Sequence, residues 1–316
     1  MLAAYASATD PDDPLRALTV GELPEPAPAE GWVTVDVRAS SLNHHDLWSL
    51  RGVGLPADRL PMILGCDAAG VTPDGREVLL HAVVEDKADP RGYSLLSERH
   101  PGTIAQRVAV PAENLVDKPA GMSFAEAACL PTAWLTAYRM LTVRGRIDEA
   151  GSVLVQGAGG GVATAAVVLA AAFGKRVYAT SRDAAKRERI AALGATALEP
   201  GARLPERVDI VIESVGEPTF GHSLKCAAPG GRIVVCGATG GNLAGVDLRR
   251  VFALQLEILG SSMGTAAELA ALLDLCTERA IRPVIDSTYG FSAVTHAFAR
   301  LSAGDVFGKV VVDHTR

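Results

Sequence analysis

The 316-residue chain has few cysteines, no long apolar run and no excess of positive charge. None of its five cysteines forms a Cys-x-x-Cys pair, which argues against a disulfide framework and against a structural zinc lobe. The formal net charge of −6 disfavours general nucleic-acid binding. The apolar runs are shorter than the roughly 20 residues of a membrane span, and no signal-peptide pattern opens the sequence. We therefore expect a cytoplasmic protein that binds neither nucleic acid nor membrane.

The sequence is rich in glycine at one decisive place. Residues 153–163 read VLVQGAGGGVA and lead directly into the alanine-rich segment 163–173. This pattern predicts a strand, a tight turn and a helix. Because glycine lacks a Cβ, the backbone can approach a pyrophosphate, and the free N–H groups of the first helical turn attract anions. We interpret the stretch as a relaxed dinucleotide fingerprint, although an ordinary strand-to-helix turn would look similar. The residues expected around the pyrophosphate are Ala158, Gly160, Gly161, Val162 and Ala163.

The choice between NAD and NADP is made at the end of the second strand of such a unit. The strand expected over residues 176–180 ends at Ser181 and Arg182, where an NAD-binding protein usually has Asp or Glu. A hydroxyl beside a guanidinium suits a 2′-phosphate, because Arg presents a planar fork of donors to phosphate oxygens. We therefore expect NADP(H). Lys186 would add positive charge, or it lies with Arg187 on a solvated helix face.

Two patterns divide the chain. Residues 1–118 alternate in short runs between turn residues, which predicts an antiparallel, barrel-like domain. Over residues 119–285 strands and helices alternate, which predicts a doubly wound parallel sheet. We expect residues 286–316 to return to the first domain through a strand at 307–312.

Within the central domain, Ser123 and Glu126 form a capping-box pattern that predicts a helix over residues 123–141. Its strands are expected at residues 153–156, 176–180, 209–213, 232–236 and 257–260. Ligands of doubly wound sheets bind at the carboxyl ends of the strands. Small residues follow three of these ends and are candidates for cofactor binding, although turn chemistry alone would favour the same residues. They are Ser214, Val215, Gly237, Ala238, Ser262 and Met263.

Taken together, these motifs resemble the medium-chain dehydrogenase/reductase superfamily over essentially the whole chain. The resemblance rests on SLNHHDLWSLRG (41–52), LPMILGCDAAGV (60–71), GTIAQRVAVP (102–111), LPTAWLTAYRML (130–141), the glycine turn and FGKVVV (307–312). The sequence is most similar to the zinc-free quinone oxidoreductase and enoyl reductase branch. This implies an α/β fold in which a Rossmann sheet is inserted into a GroES-like, partly open β-barrel catalytic domain. It also implies homodimers that pair through a Rossmann edge, for which residues 257–262 are a candidate.

The same resemblance implies roles for further residues. It places Asn43 against the nicotinamide ribose, and it adds Thr136, Phe307 and Lys309 to the cofactor-binding set. In the zinc alcohol dehydrogenases of the superfamily, a Cys, a His, a Glu and a Cys occupy the positions of Asn43, Cys66, Asp67 and Thr132. Only Cys66 is a soft ligand, and catalytic zinc needs at least three protein donors. His44 and His45 lie in a segment that we interpret as strand-like, so they should point to opposite faces and not share a metal.

Without a metal, the acceptor of a hydride must relieve its developing charge in another way. A quinone or an α,β-unsaturated carbonyl does so through its conjugated oxygen, so hydrogen bonds and a proton donor suffice. We therefore expect an NADPH-dependent reductase of quinones or enones. Two alternatives stay open: a zinc-dependent alcohol dehydrogenase with a degenerate metal site, and a non-catalytic, crystallin-like NADPH-binding protein.

The proton donor is less well defined by the sequence. Trp48 and Gly54 occupy positions at which the resembling families have tyrosine, and neither can donate a phenolic proton. The remaining candidates are His44, His45, Asp67 and water, and we place His45 first because histidine titrates near neutral pH. Trp48 would form an apolar wall for a flat substrate, or it packs in the core.

Overall fold

A computed structural model describes residues 1–316 of the chain. The strands are β1 (Leu2–Ala6), β2 (Leu18–Glu22), β3 (Trp32–Ser41), β4 (Met62–Ile63), β5 (Asp67–Val71), β6 (Glu77–Leu80), β7 (Val83–Glu85), β8 (Tyr93–Leu95), β9 (Arg107–Pro111), β10 (Leu115–Asp117), β11 (Ser152–Val155), β12 (Arg176–Thr180), β13 (Thr196–Leu198), β14 (Val208–Glu213), β15 (Ala227–Val235), β16 (Glu257–Gly260), β17 (Ile285–Gly290) and β18 (Lys309–Asp313). The α-helices are α1 (His44–Leu50), α2 (Phe124–Ala127), α3 (Leu135–Arg139), α4 (Gly161–Ala172), α5 (Ala184–Ala192), α6 (Glu217–Cys226), α7 (Leu248–Ala253), α8 (Ala266–Glu278) and α9 (Val294–Ser302).

The chain forms two compact units. The first contains Met1–Thr132 and Thr265–Arg316, and the second contains Ala133–Gly264. The first unit therefore runs further along the chain, and its return segment begins earlier, than the boundaries placed after residues 118 and 285 from the sequence. The difference lies with helices α2 and α8, which pack on strands of the first unit.

The first unit is built around a seven-stranded sheet with the order β10-β6-β5-β3-β18-β17, in which β9 also pairs with β3. Strand β18 runs antiparallel to β3, with Val311 opposite Ser41. It overlaps the strand that the sequence predicted at residues 307–312. Leu42, Leu50 and Phe298 are buried in the core of this unit. The sheet thus brings the residues that follow β3 next to the start of β18.

The second unit contains a six-stranded parallel sheet with the order β13-β12-β11-β14-β15-β16. This is the doubly wound arrangement that the alternating pattern predicted. Observed and expected strands agree for β12 and β16, whereas β15 starts five residues before the expected Arg232. Strand β16 is the last in the order, so it is an edge strand.

One local prediction was wrong, and a second was confirmed only in part. His44 and His45 do not lie in a strand-like segment but begin α1, because Asn43 and Asp46 form a capping box that starts a helix there. The helix expected over residues 123–141 starts with the predicted capping box of Ser123 and Glu126. It then widens into π-helical turns at Leu130–Trp134 and Met140–Arg144. Pro131, which has no backbone N–H to donate, lies in the first of these turns. No helix is both long and apolar enough to cross a membrane.

Candidate functional site

The glycine turn of the second unit has the features of an anion cradle. Gly160 is the N-cap of α4, no side chain caps the first amides, and the first helical turn contains no acidic residue. A Cβ built on Gly160 would meet no atom within 4 Å, so the space in front of the helix is open. Free amides at the positive end of a helix dipole and an open approach fit a diphosphate.

Gly157 has a different function in the same turn. Its φ of +64° lies in the left-handed region, and a Cβ on it would clash with Cγ2 of Val215. Glycine is therefore required at this position by the fold, whereas at Gly160 the Cβ would enter only open space.

A buried polar network that no sequence pattern predicted supports this turn. The Thr180 hydroxyl donates to Gln156 Oε1 at 2.7 Å and accepts from the Gly157 N–H at 3.1 Å. At the end of β14, the fully buried Glu213 accepts from the backbone N–H groups of Val215 and Gly216, at 2.9 and 3.1 Å. These contacts fix the backbone of the predicted cofactor residues before any ligand arrives.

The end of β12 leaves one guanidinium unpaired. Ser181 is buried, whereas Arg182 is exposed and its side chain pairs with no other group. Arg187 donates to the carbonyl oxygens of Ser181 and Arg182 at 2.8 and 3.1 Å, and to Glu199 at 3.1 Å. The structure thus assigns Arg187 to holding the turn and leaves Arg182 available for a ligand. Lys186 is half-buried in α5.

The remaining predicted cofactor residues fall into two groups. Those of the first group follow the carboxyl ends of β14, β15 and β16, three neighbouring strands, and are half-buried or exposed: Ser214, Val215, Gly237, Ala238, Ser262 and Met263. Those of the second group are buried: Thr136 in α3, and Phe307 and Lys309 in the first unit.

The first unit contains a buried polar cluster formed by Ser41, Asn43, Asp67 and Lys309. The Lys309 ammonium donates to the Leu42 carbonyl oxygen at 2.8 Å, to Asn43 Oδ1 at 2.6 Å and to Asp67 Oδ2 at 3.0 Å. Asn43 Nδ2 and the Ser41 hydroxyl also donate to Asp67 Oδ2, at 2.8 and 2.7 Å. Asn43, which was expected against the nicotinamide ribose, and Asp67, a candidate proton donor, are therefore in direct contact.

His45 lies in a second polar group of the same unit. Its Nε2 is 3.0 Å from Glu98 Oε1 and its Nδ1 is 3.5 Å from the Cys66 sulfur. Hydrogen bonds to Cys66 and Glu98 raise the pKa of His45 well above its usual value, against the opposing effect of burial. Arg91 lies 3.5 Å from the other carboxylate oxygen of Glu98. Sequence reasoning missed Glu98, because no spacing rule connects it to a histidine 53 residues away.

The other candidates in α1 are exposed. His44 makes no hydrogen bond through its side chain. Trp48 is 36% exposed, with the Arg51 guanidinium 5.1 Å from its ring centre, so it does not pack in the core. Of the two histidines, only His45 has partners that could hold and supply a proton.

Comparison with known proteins agrees with this architecture. Residues 29–120 match the family described as "Alcohol dehydrogenase GroES-like domain", and residues 188–312 match "Zinc-binding dehydrogenase". The chain is 32% identical to a probable acrylyl-CoA reductase of Escherichia coli strain K12, over 71% of each chain. It belongs to the medium-chain dehydrogenase/reductase superfamily.

Two solved structures show the same medium-chain dehydrogenase/reductase fold over 99% of this chain. An NAD-dependent alcohol dehydrogenase is 32% identical, with a TM-score of 0.89 and 99% of its own chain covered. A 2-octenoyl-CoA carboxylase reductase, solved with NADP and 2-octenoyl-CoA, is 26% identical, with a TM-score of 0.89 and 87% of its chain covered. The predicted fold class is confirmed, and the chain is an oxidoreductase of this superfamily.

The word zinc in the family description raises the question of a metal, and the donor set does not fit one. No three His, Cys, Asp or Glu side chains come together in a metal-binding group. Burial raises the pKa of the Cys66 thiol, which donates to the Leu96 carbonyl oxygen. Asp67 Oδ1 and Thr132 Oγ1 are buried without partners, but two oxygens fall short of the three donors that zinc needs. The Lys309 ammonium beside Asp67 would also repel a dication.

Proposed function

We propose that this chain is an NADPH-dependent reductase of α,β-unsaturated carbonyl compounds that works without a bound metal. The observation that carries the proposal is the Lys309 ammonium, which occupies acceptor atoms of both Asn43 and Asp67. Because this site already contains a buried cation, it suits substrates whose conjugated bonds spread the negative charge left by hydride transfer. An unactivated ketone cannot spread that charge and would benefit from a Lewis acid.

The preference for NADPH over NADH is supported by Arg182. Its exposed guanidinium has no protein partner, and no carboxylate occupies the place that usually accepts the ribose 2′-hydroxyl. Arg187 keeps the backbone of this turn in place, so Arg182 can bind a phosphate without reorganising the loop. The carboxylase reductase of similar fold is likewise described with NADP.

The chemical roles are divided among few residues. When bound, NADPH supplies a hydride. Addition of that hydride to a conjugated alkene leaves negative charge on the substrate carbonyl oxygen, which a hydrogen-bond donor stabilises. Asn43 Nδ2 has two protons and gives one to Asp67, so the second is available as such a donor.

His45 is our proposed proton donor. Its side chain is 25% exposed, and its contact with Glu98 favours the imidazolium form. Neither Trp48 nor Gly54 can take this role, since neither has an ionisable proton at the position where the resembling families have tyrosine. Protonation of the substrate carbon or oxygen by His45 would complete the reduction.

Relatives narrow the choice of acceptor. The Escherichia coli relative is described as a probable acrylyl-CoA reductase, and the carboxylase reductase was solved with an enoyl thioester. We therefore propose enoyl thioesters and simple enones as the first acceptors to test, with quinones as the second class.

The test measures NADPH oxidation by absorbance with acryloyl-CoA, a cyclic enone, a benzoquinone and an aldehyde, each with and without a chelator. Turnover of the thioester or enone that is unchanged by the chelator supports the proposal. Activity confined to the aldehyde and lost on chelation would show a zinc alcohol dehydrogenase instead. Tight NADPH binding without turnover of any acceptor would show a non-catalytic binding protein. Gly160→Val, which should bind no cofactor, is the matched control.

We also propose that the chain forms a homodimer through the free edge of β16. Ile258 on this strand is exposed, and the nearby Leu248 and Phe252 are 71% and 72% exposed. An uncovered apolar strand edge is a typical pairing surface. Sedimentation analysis should show a dimer that Ile258→Arg converts to a monomer, and a monomeric wild type would contradict the proposal.

A further inference from the structure

The Lys309 ammonium is buried in the first unit, where its side chain is 2% exposed, and the Asp67 side chain is fully buried. We propose that Lys309 is a positioning residue which, together with Asp67, locks the Asn43 carboxamide in a single orientation. The kinetic test of this inference rests on the proposed function, whereas its NMR test does not.

The lock follows from the chemistry of the three groups. An ammonium can only donate hydrogen bonds, and an ionised carboxylate can only accept them. Asn43 presents its oxygen to Lys309 at 2.6 Å and its nitrogen to Asp67 at 2.8 Å. A flipped carboxamide would place N–H against the ammonium and C=O against the carboxylate, so both contacts would become repulsive. The free N–H of Asn43 therefore has one fixed direction.

The partners of Asn43 are themselves held by the fold. The third proton of the Lys309 ammonium goes to the Leu42 carbonyl oxygen, so the ammonium has no free donor left. Lys309 opens β18, which pairs with β3, and β3 ends two residues before Asn43. Ser41, the last residue of β3, donates to the same Asp67 oxygen as Asn43. The lock is thus assembled from three segments whose register is set by backbone pairing.

Stability alone does not account for a charge pair at this place. Two buried charges lose their hydration, and an apolar pair of similar volume often folds as well or better. What an apolar pair could not do is distinguish the two ends of a carboxamide. A donor fixed before the reaction stabilises developing charge without a reorganisation cost, so the lock is expected to raise turnover.

The test uses a charge-neutral double variant. Lys309→Met alone leaves Asp67 buried without a counter-charge and should destabilise the chain. Asp67→Asn combined with Lys309→Met removes both charges, and Asn at position 67 can pair with either end of Asn43. The double variant should fold like the wild type by thermal unfolding, yet its kcat should fall at least about tenfold. Wild-type kcat in a folded double variant would overturn the inference.

A second comparison separates positioning from a general structural effect. If the charge pair acts through Asn43, the double substitution should change kcat less than about twofold in an Asn43→Ala background, because the group it positions is already gone. An equal, additive loss in both backgrounds would mean that Lys309 and Asp67 act by another route, and the inference would be wrong.

The orientation can also be observed without any substrate. The chain has three asparagines, at positions 43, 114 and 242, so labelling asparagine alone with ¹⁵N gives three side-chain amide pairs in an NMR spectrum. The pair lost in Asn43→Ala is that of Asn43. It should be single and sharp in the wild type. Asp67→Asn adds a fourth pair to the spectrum of the double variant, so there the Asn43 pair is the one lost when Asn43→Ala is added, and it should be shifted, split or broadened. An unchanged Asn43 pair in the double variant would refute the lock. Absence of turnover with every acceptor would refute only the proposed function.

Discussion

His314 near the C-terminus makes the stability of the first unit sensitive to mild acid. The Ser40 hydroxyl donates its proton to the Thr103 carbonyl oxygen, so towards His314 Nε2, 3.0 Å away, it can act only as an acceptor. Nε2 therefore carries the proton of the neutral ring, and Nδ1 is buried without a partner. The ring also contacts Phe291, with the ring centres 4.9 Å apart. A second proton would have to lie on Nδ1, where nothing accepts it.

The magnitude follows from the pKa. Burial lowers the pKa of His314 from 6.5 to about 4, against a small opposing effect of Asp313. Between these values the unfolded chain binds a proton that the folded chain does not. Stability from this residue is therefore complete above about pH 6.5 and falls as the pH drops towards 4. The pKa of His314 differs by about 2.5 units between the unfolded and the folded chain. At about 1.36 kcal/mol per unit, this lowers the free energy of unfolding by about 3 kcal/mol.

The assay is urea unfolding at several pH values between 7.5 and 4, for the wild type and for His314→Phe. Phenylalanine keeps a ring against Phe291 but does not titrate, and Ser40 retains its bond to Thr103. Carboxylates contribute to the acid sensitivity of both proteins, so the informative quantity is the difference in slope. The wild type should lose about 3 kcal/mol more than His314→Phe over this range. Parallel curves would show that His314 is not kept neutral by the fold.

Three further predictions concern the proposed activity. Arg182→Asp should weaken NADPH binding at least about tenfold and NADH binding much less, since it removes the donor for the 2′-phosphate; an unchanged ratio of the two dissociation constants would remove Arg182 from the site. Gly160→Val should abolish NADPH binding and leave the unfolding curve unchanged. By contrast, Gly157→Ala, whose Cβ would meet Val215, should destabilise the fold by about 2 kcal/mol. Retained NADPH affinity in Gly160→Val would mean that the glycine turn does not hold a pyrophosphate. Asn43→Ala should lower kcat about tenfold or more in a folded protein, and wild-type kinetics would exclude Asn43 from the reaction.

Much of the fold could be predicted from local patterns. The alternation of strands and helices predicted the parallel sheet, and the glycines between β11 and α4 predicted where its turn lies. The predicted ends of helices and strands were less accurate where local sequence preferences and tertiary packing favour different conformations. The helix that begins at Ser123 is capped as predicted, but its later turns widen into a π-helix, which no capping or periodicity rule foresees.

The site was predictable only in part. Of the residues selected from the sequence, the structure brings Asn43 and Asp67 into contact and pairs His45 with the Glu98 carboxylate. Their roles in the reaction stay predictions. The strand-like interpretation of the two histidines was wrong, because a capping box between Asn43 and Asp46 was overlooked. Lys309 was expected to bind cofactor, whereas its three ammonium protons are used within the protein. Its role towards the cofactor stays a prediction.

The sequence by itself determined the elements that depend on neighbouring residues: the parallel sheet, the glycine turn, the unusual pair Ser181 and Arg182, and the presence of Asn43 and Thr132 where the resembling zinc alcohol dehydrogenases have cysteine. Each of these features depends on which side chains stand at a given spacing along the chain, and the order of the residues shows this directly. Only the tertiary structure decided which distant groups meet. Lys309 is 266 residues from Asn43, and Glu98 is 53 residues from His45. Such contacts arise from strand pairing and core packing, so the charge, orientation and proton supply of the site depend on interactions that no local pattern contains.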